Sequence, residues 1–213
     1  MKKTNKKCFC AAACFLAAFA LWTVLLCFVD VRAIGPMGSE VGFSSLNGWF
    51  HGLTGVNMAL YTVTDWLGLV PIGVMAAFAA LGFVQMVKRK SILKVERSIL
   101  ALGVFYVAVA AVFVLFEVAV VNYRPTLIEG RLEASYPSST TMLVMCVMPT
   151  ALMQLRARIK NALPGRFACI AVTAFTAFMV IGRLVSGVHW VTDIIGGALI
   201  SAGLVLAYRA FAE

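Results

Sequence analysis

The chain has 213 residues, of which 62% are hydrophobic and 13% charged, a balance far outside the range of water-soluble globular domains that places it in lipid. A formal net charge of +9 would suit a nucleic-acid binder, but the lysines and arginines fall in short runs between apolar stretches, with no aromatic-interleaved basic patch. We therefore expect no nucleic-acid partner and read the runs as topology signals for a protein whose first partner is the bilayer.

The opening MKKTNKK is followed by about 20 apolar residues. It looks like a signal peptide, yet the apolar stretch is long and the region from Phe28 to Arg32 lacks a small-x-small cleavage site, so we read a retained first helix. A spanning helix needs about 20 mainly apolar residues, because in hydrocarbon every backbone amide must be paired within the segment. Six stretches qualify, at about residues 8–29, 62–87, 98–121, 138–155, 167–186 and 190–208; the fourth is short and opens with hydroxyl residues. The predicted fold is all-α, a six-transmembrane-helix bundle forming one integral membrane domain over residues 1–213.

Assigning the lysine-rich start to the cytoplasm, with Lys2 in it, places fourteen of the eighteen Lys and Arg there, including Lys160; the exceptions are Arg32, Arg124, Arg131 and Arg183. That bias predicts cytoplasmic N and C termini in a multi-pass protein of the cell membrane. Trp49, Trp66 and Trp190 then fall near the outer interface, where amphipathic rings are favoured. Between the first two spans, VGFSSLNGWFHGLTG predicts a short amphipathic piece on the membrane surface. His51 in that piece reads as a solvated histidine. Asp65, near the outer end of the second span, reads equally as functional or as interfacial. The cysteines at 8, 10, 14, 27, 146 and 169 have neither zinc-site nor disulfide-framework spacing and read as small apolar packers.

With this topology three polar groups fall at one depth, on the extracytoplasmic side. Arg183, His189 and Asp193 form the sharpest. His189 and Asp193 are four apart and would share one face of the last helix. The carboxylate would then hold one ring nitrogen and leave the other as a nucleophile or base. Ser186-Gly187 permits a tight turn that would bring the Arg183 fork back over the imidazole, an arrangement suited to phosphate. For this composition, such a spacing arises by chance about once in a thousand chains. The bland alternative is an ion pair of Asp193 with Arg183 beside an interfacial histidine. The second group is Pro137-Ser138-Ser139-Thr140, where the amides of Ser138, Ser139 and Thr140 at a helix start would attract an anion or simply be capped. The third is Arg124-Pro125, a phosphate ligand or a headgroup anchor.

Together these residues resemble the type-2 phosphatidic acid phosphatase superfamily of membrane lipid phosphatases, whose motifs are Lys-x6-Arg-Pro, Pro-Ser-Gly-His and Ser-Arg-x5-His-x3-Asp. The third motif stands here as Gly182-Arg183-x5-His189-x3-Asp193, with its leading serine changed. The resemblance implies that His189 attacks phosphorus to form a phosphohistidine, that Asp193 orients it, and that Arg124 and Arg183 neutralise the phosphoryl oxygens. It implies no metal and no cofactor. Two motifs depart from the family: Glu117 occupies the lysine position, and Thr140 replaces the histidine that serves as general acid. A threonine hydroxyl is a poor proton donor, so a pyrophosphate, with its weakly basic leaving group, suits the site better than a lipid monoester. Glu133, Tyr136 or water could supply the proton. Glu117, two helical turns before Arg124 and so on its face, would pair with Arg124 or Arg131 or stay protonated. Two readings follow: a phosphoric ester or anhydride hydrolase acting on a lipid phosphate or pyrophosphate, such as phosphatidic acid or a polyprenyl pyrophosphate, or a protein that binds lipid phosphates without turnover, in a sensing, transport or assembly role.

Overall fold

Apolar runs that must pair every backbone amide internally can only coil, and each of the six does. The structure, a computed structural model, describes residues 3–159 and 162–212, so Lys2 and Lys160 of the basic runs lie outside it. In chain order the helices are α1 (Lys3–Phe28), α2 (Ser44–Thr54), α3 (Met58–Leu67), α4 (Leu69–Arg89), α5 (Arg97–Val118), α6 (Ser139–Arg158), α7 (Ala162–Val185) and α8 (Val191–Ala212). Among the described residues six helical stretches are long and apolar enough to cross a membrane. Among the described residues there is no strand, only isolated bridges such as Tyr123 with Ala134.

The second span is built from two helices. Pro71 has no N–H to offer the Leu67 carbonyl, and the helix divides at Gly68 into α3 and α4. Asn57 starts α3 by accepting the Leu60 amide at 2.9 Å. The expected surface piece is α2, with Trp49 and Leu53 exposed and Asn47 fully buried. The fourth span, whose sequence signal is weakest, is the most enclosed of the six. α6 packs against α4, α5, α7 and α8. A helix surrounded by protein need not be as apolar as one facing lipid, and its polar groups find partners inside: Thr150 donates to the Cys146 carbonyl at 2.8 Å, and Gln154 donates to the Tyr208 hydroxyl.

Helices already in lipid gain nothing hydrophobic by meeting, so packing and interhelical hydrogen bonds hold the bundle together. α1 lies along α8, and the Asn5 side chain donates to the Ala210 carbonyl at 3.2 Å, which sets both termini at one end. Near the other end Tyr136 fills the seam: its ring stacks on Phe19 at 6.0 Å and meets Phe116 edge-on at 5.7 Å. Each such pair contributes about 0.5–1.5 kcal/mol beyond its buried area. Gly196 makes the seam possible, because a Cβ there would stand 2.3 Å from the Tyr136 ring.

Two expectations from the sequence fail here. α5 stops at Val118, so Arg124 follows it in a non-helical segment and Glu117 does not share a helical face with Arg124. Trp190 is buried, with its indole N–H donated to the Tyr123 carbonyl at 2.7 Å, and it cannot serve as a lipid-interface anchor.

Candidate active site

The ends of α3, α6, α7 and α8 and the segment 119–138 meet at the end of the bundle opposite the termini. The turn from α7 to α8 is shaped by glycine. Gly187 takes φ 66° with its Cα against the α2–α3 connection, where a Cβ would stand 1.7 Å from the Gly55 carbonyl oxygen. The Ser186 carbonyl accepts the Asn57 amide at 2.9 Å, locking the two connections together. One turn earlier, a Cβ on Gly182 would lie 2.7 Å from the Thr64 methyl. The glycine in the place of the third motif's serine thus lets α3 approach α7.

That approach sets Asp65 beside Arg183, whose Nη2 donates to Oδ1 at 2.8 Å and also to Thr140 Oγ1. The guanidinium lies 4.8 Å from the centre of the Tyr61 ring, with Arg124 on the same ring at 6.0 Å. Arg183 is 2% exposed, and its Nε and Nη1 have no hydrogen-bond partner among the described residues. Buried donors of this kind are costly unless something accepts from them. Arg124 places Nε 3.0 Å from Glu133 Oε2 and Nη1 3.2 Å from His189 Nε2. In both ion pairs the arginine is the buried member and the carboxylate the exposed one, with side chains 56% exposed for Asp65 and 41% for Glu133. An incoming anion can therefore displace the acids into water and take their place on the buried arginines.

His189 is 3% exposed and precedes α8 rather than sitting on it. The expected shared helical face does not form: Nδ1 and Asp193 Oδ2 are 3.8 Å apart, too far for a hydrogen bond. Ser135 stands between them. Its Oγ lies 3.0 Å from Nδ1 and donates to Oδ2. The same carboxylate accepts the Trp190 amide at 2.9 Å and the Asn122 side chain at 3.3 Å.

The three residues of the second motif separate. The Ser138 amide is taken by the Asp193 carbonyl at 3.1 Å and its hydroxyl accepts from the Thr141 amide, so Ser138 caps α6 instead of offering its amide to an anion. Ser139 borders a small cavity with Glu117, Ser135 and Pro137. Thr140 alone reaches an arginine. Tyr136 points the wrong way for an acid: its hydroxyl meets Thr23 at 2.7 Å, and burial pushes its phenol up, making it a weaker proton donor. Glu117 is exposed, and the carboxylate beside Arg124 is Glu133. His51 is partly buried against Trp190, with ring centres 5.5 Å apart, rather than solvated.

Sequence reasoning missed Ser135, Asn122 and Tyr61. Asn122, polar at the edge of an apolar run, carried a readable signal; a serine and a tyrosine near a span end carry none.

Burial, then the positive charges of Arg124 and Arg183, push His189 well below its ordinary 6.5, so the imidazole is neutral near pH 7. A depressed histidine contributes stability above the unfolded value, and that stability is lost as the pH falls below it, because the unfolded chain takes the proton first. An NMR titration is expected to place the His189 midpoint below 6.5; a midpoint at or above it would contradict this account.

Fold and site define a multi-pass helical membrane protein enclosing a buried histidine against Arg124, with a second buried guanidinium, Arg183, at the same end of the bundle. Residues 118–213 match the model of the PAP2 superfamily. The fold is similar to the crystal structure of a transmembrane PAP2-type phosphatidylglycerolphosphate phosphatase from Bacillus subtilis, at 16% identity and TM-score 0.57 over 94% of each chain. Among curated protein sequences nothing matches.

Proposed function

We propose that the protein hydrolyses a lipid phosphate or pyrophosphate at the extracytoplasmic face of the cell membrane through a phosphohistidine on His189. One observation carries the reading: the Nε2 lone pair of a buried neutral histidine faces Arg124, with the unpartnered donors of Arg183 nearby. A terminal phosphoryl group would draw Arg124 off Nε2 and satisfy Arg183. Nε2 then attacks phosphorus, the P–O bond to the lipid-bearing group breaks, and that group leaves with the electron pair. Water attacks next; the P–N bond breaks, the pair returns to Nε2 and inorganic phosphate departs. The guanidinium groups neutralise the charge that builds on the equatorial oxygens.

Thr140 decides the substrate class. It accepts from Arg183 where the family places an acid, and no hydroxyl there can hand over a proton as a histidine does. A pyrophosphate leaves as a phosphate monoester and needs little help; a lipid alkoxide needs much. The positive-inside bias supports the side of the membrane. The same lack of an acid favours a second reading, lipid-phosphate binding without turnover.

Purified protein in detergent is expected to release inorganic phosphate from a polyprenyl pyrophosphate at least about 100-fold faster than from phosphatidic acid, since a single proton donor is commonly worth 10²–10⁴-fold. Thr140→His is expected to narrow that gap by speeding the monoester. Binding of both lipids with release of neither would replace the enzyme by the binding protein.

A further inference from the structure

We infer that Ser135 is a positioning residue that fixes the tautomer of His189 by relaying the Asp193 carboxylate to Nδ1. The inference rests on the reading of His189 as nucleophile and adds the element that keeps its lone pair on the reacting side.

The proton count leaves one arrangement. Asp193 is fully buried and accepts three hydrogen bonds, from the Trp190 amide, the Asn122 side chain and the Ser135 hydroxyl. Ser135 has a single hydroxyl proton, and it is committed to Asp193. Its oxygen can then only accept from the histidine, so Nδ1 carries the ring proton. Nε2 is left bare, and Arg124 Nη1 donates to it at 3.2 Å. Asp193 cannot take over this task directly, because its other two partners hold the carboxylate 3.8 Å from Nδ1. Ser135 is buried, 3% exposed, so bulk water does not substitute for it.

In the reaction the relay matters most when Arg124 has turned to the phosphate. The contacts of Ser135 at Nδ1 then distinguish the two nitrogens, and a proton on Nε2 would block attack. As the P–N bond forms, the ring becomes cationic and keeps its Nδ1 proton; the Ser135 dipole, backed by Asp193, stabilises that charge. When water breaks the bond the pair returns to Nε2, and Ser135 is unchanged.

The test is NMR of the full chain labelled with ¹⁵N-histidine, in which only His51 and His189 report and His51→Gln assigns them. In the wild type and in Arg124→Ala, His189 is expected to show a protonated Nδ1 and a bare Nε2. Adding Ser135→Ala to Arg124→Ala is expected to move the proton to Nε2. A wild-type signal from Nε2–H, or loss of the Nδ1 proton in Arg124→Ala alone, overturns the relay whether or not the protein is an enzyme. On a lipid pyrophosphate, Ser135→Ala is expected to lower kcat about 10²-fold with KM within about 3-fold, less than the ~10⁴ lost when a triad histidine is held in the wrong tautomer. Ser135→Thr, which keeps the hydroxyl, is expected to restore both the tautomer and kcat. An unchanged kcat in a folded Ser135→Ala protein overturns the relay; absence of turnover in the wild type overturns the phosphatase reading and leaves the NMR result standing. If Ser135→Ala does not fold, the wild-type, Arg124→Ala and Ser135→Thr spectra decide.

Discussion

His189→Ala is expected to reduce phosphate release from a lipid pyrophosphate to background, a loss of about 10⁵-fold or more, because removal of a nucleophile leaves only binding and charge stabilisation. Affinity for the same lipid is expected to change little, since Arg124, freed from Nε2, is if anything more available to the anion. Rapid quench with labelled lipid gives the direct measurement: an acid-labile, base-stable phosphoryl adduct on the wild type and none on the variant. Retention of the adduct in His189→Ala, or wild-type turnover with no adduct, would move the nucleophile to another residue or to water.

Arg183→Ala is expected to lower kcat/KM by about 10³-fold, the upper range for one preorganised donor to a developing oxyanion. Arg183 is buried, lies over Tyr61, and has two donor nitrogens, Nε and Nη1, without a partner among the described residues. On the proposed reading its planar fork would serve two phosphoryl oxygens at once, so Arg183→Lys keeps the charge without the geometry and is expected to recover only about 10-fold. Asp65→Asn separates this role from a structural one. It removes the charge but keeps an oxygen that can accept from Nη2, on a side chain more than half exposed to solvent, so kcat/KM is expected to fall less than about 3-fold. Steady-state kinetics with a thermal melt of each variant checks the set; Asp65→Asn as damaging as Arg183→Ala, at unchanged melting temperature, would show that the pair itself is the working unit.

The architecture was legible in the sequence because lipid leaves a chain few choices: about 20 apolar residues must coil, and their number and order follow from counting. The third motif was legible because it is local. Arg183, His189 and Asp193 sit within eleven residues, and one tight turn at Gly187 brings them to one end of the bundle. What the sequence could not supply were contacts between distant parts of the chain. Glu117 was linked to Arg124 by helical spacing, but α5 ends first, and Arg124 turns to Glu133 across the loop. Asp65 was ambiguous until α3 packed on α7 against Gly182 and set it beside Arg183.

Composition and spacing alone determined that the chain is a six-span helical membrane protein with a histidine and two arginines gathered at one depth, since both hydrophobic length and motif spacing are local along the chain. Only the tertiary structure decided which groups hold the histidine. Asp193 was expected to touch it directly, but Trp190 and Asn122 fasten the carboxylate short of the ring, and Ser135, 54 residues away in sequence, closes the gap. Spacing within one helix specifies which side chains share a face, whereas a hydrogen bond depends on where another segment brings its oxygen.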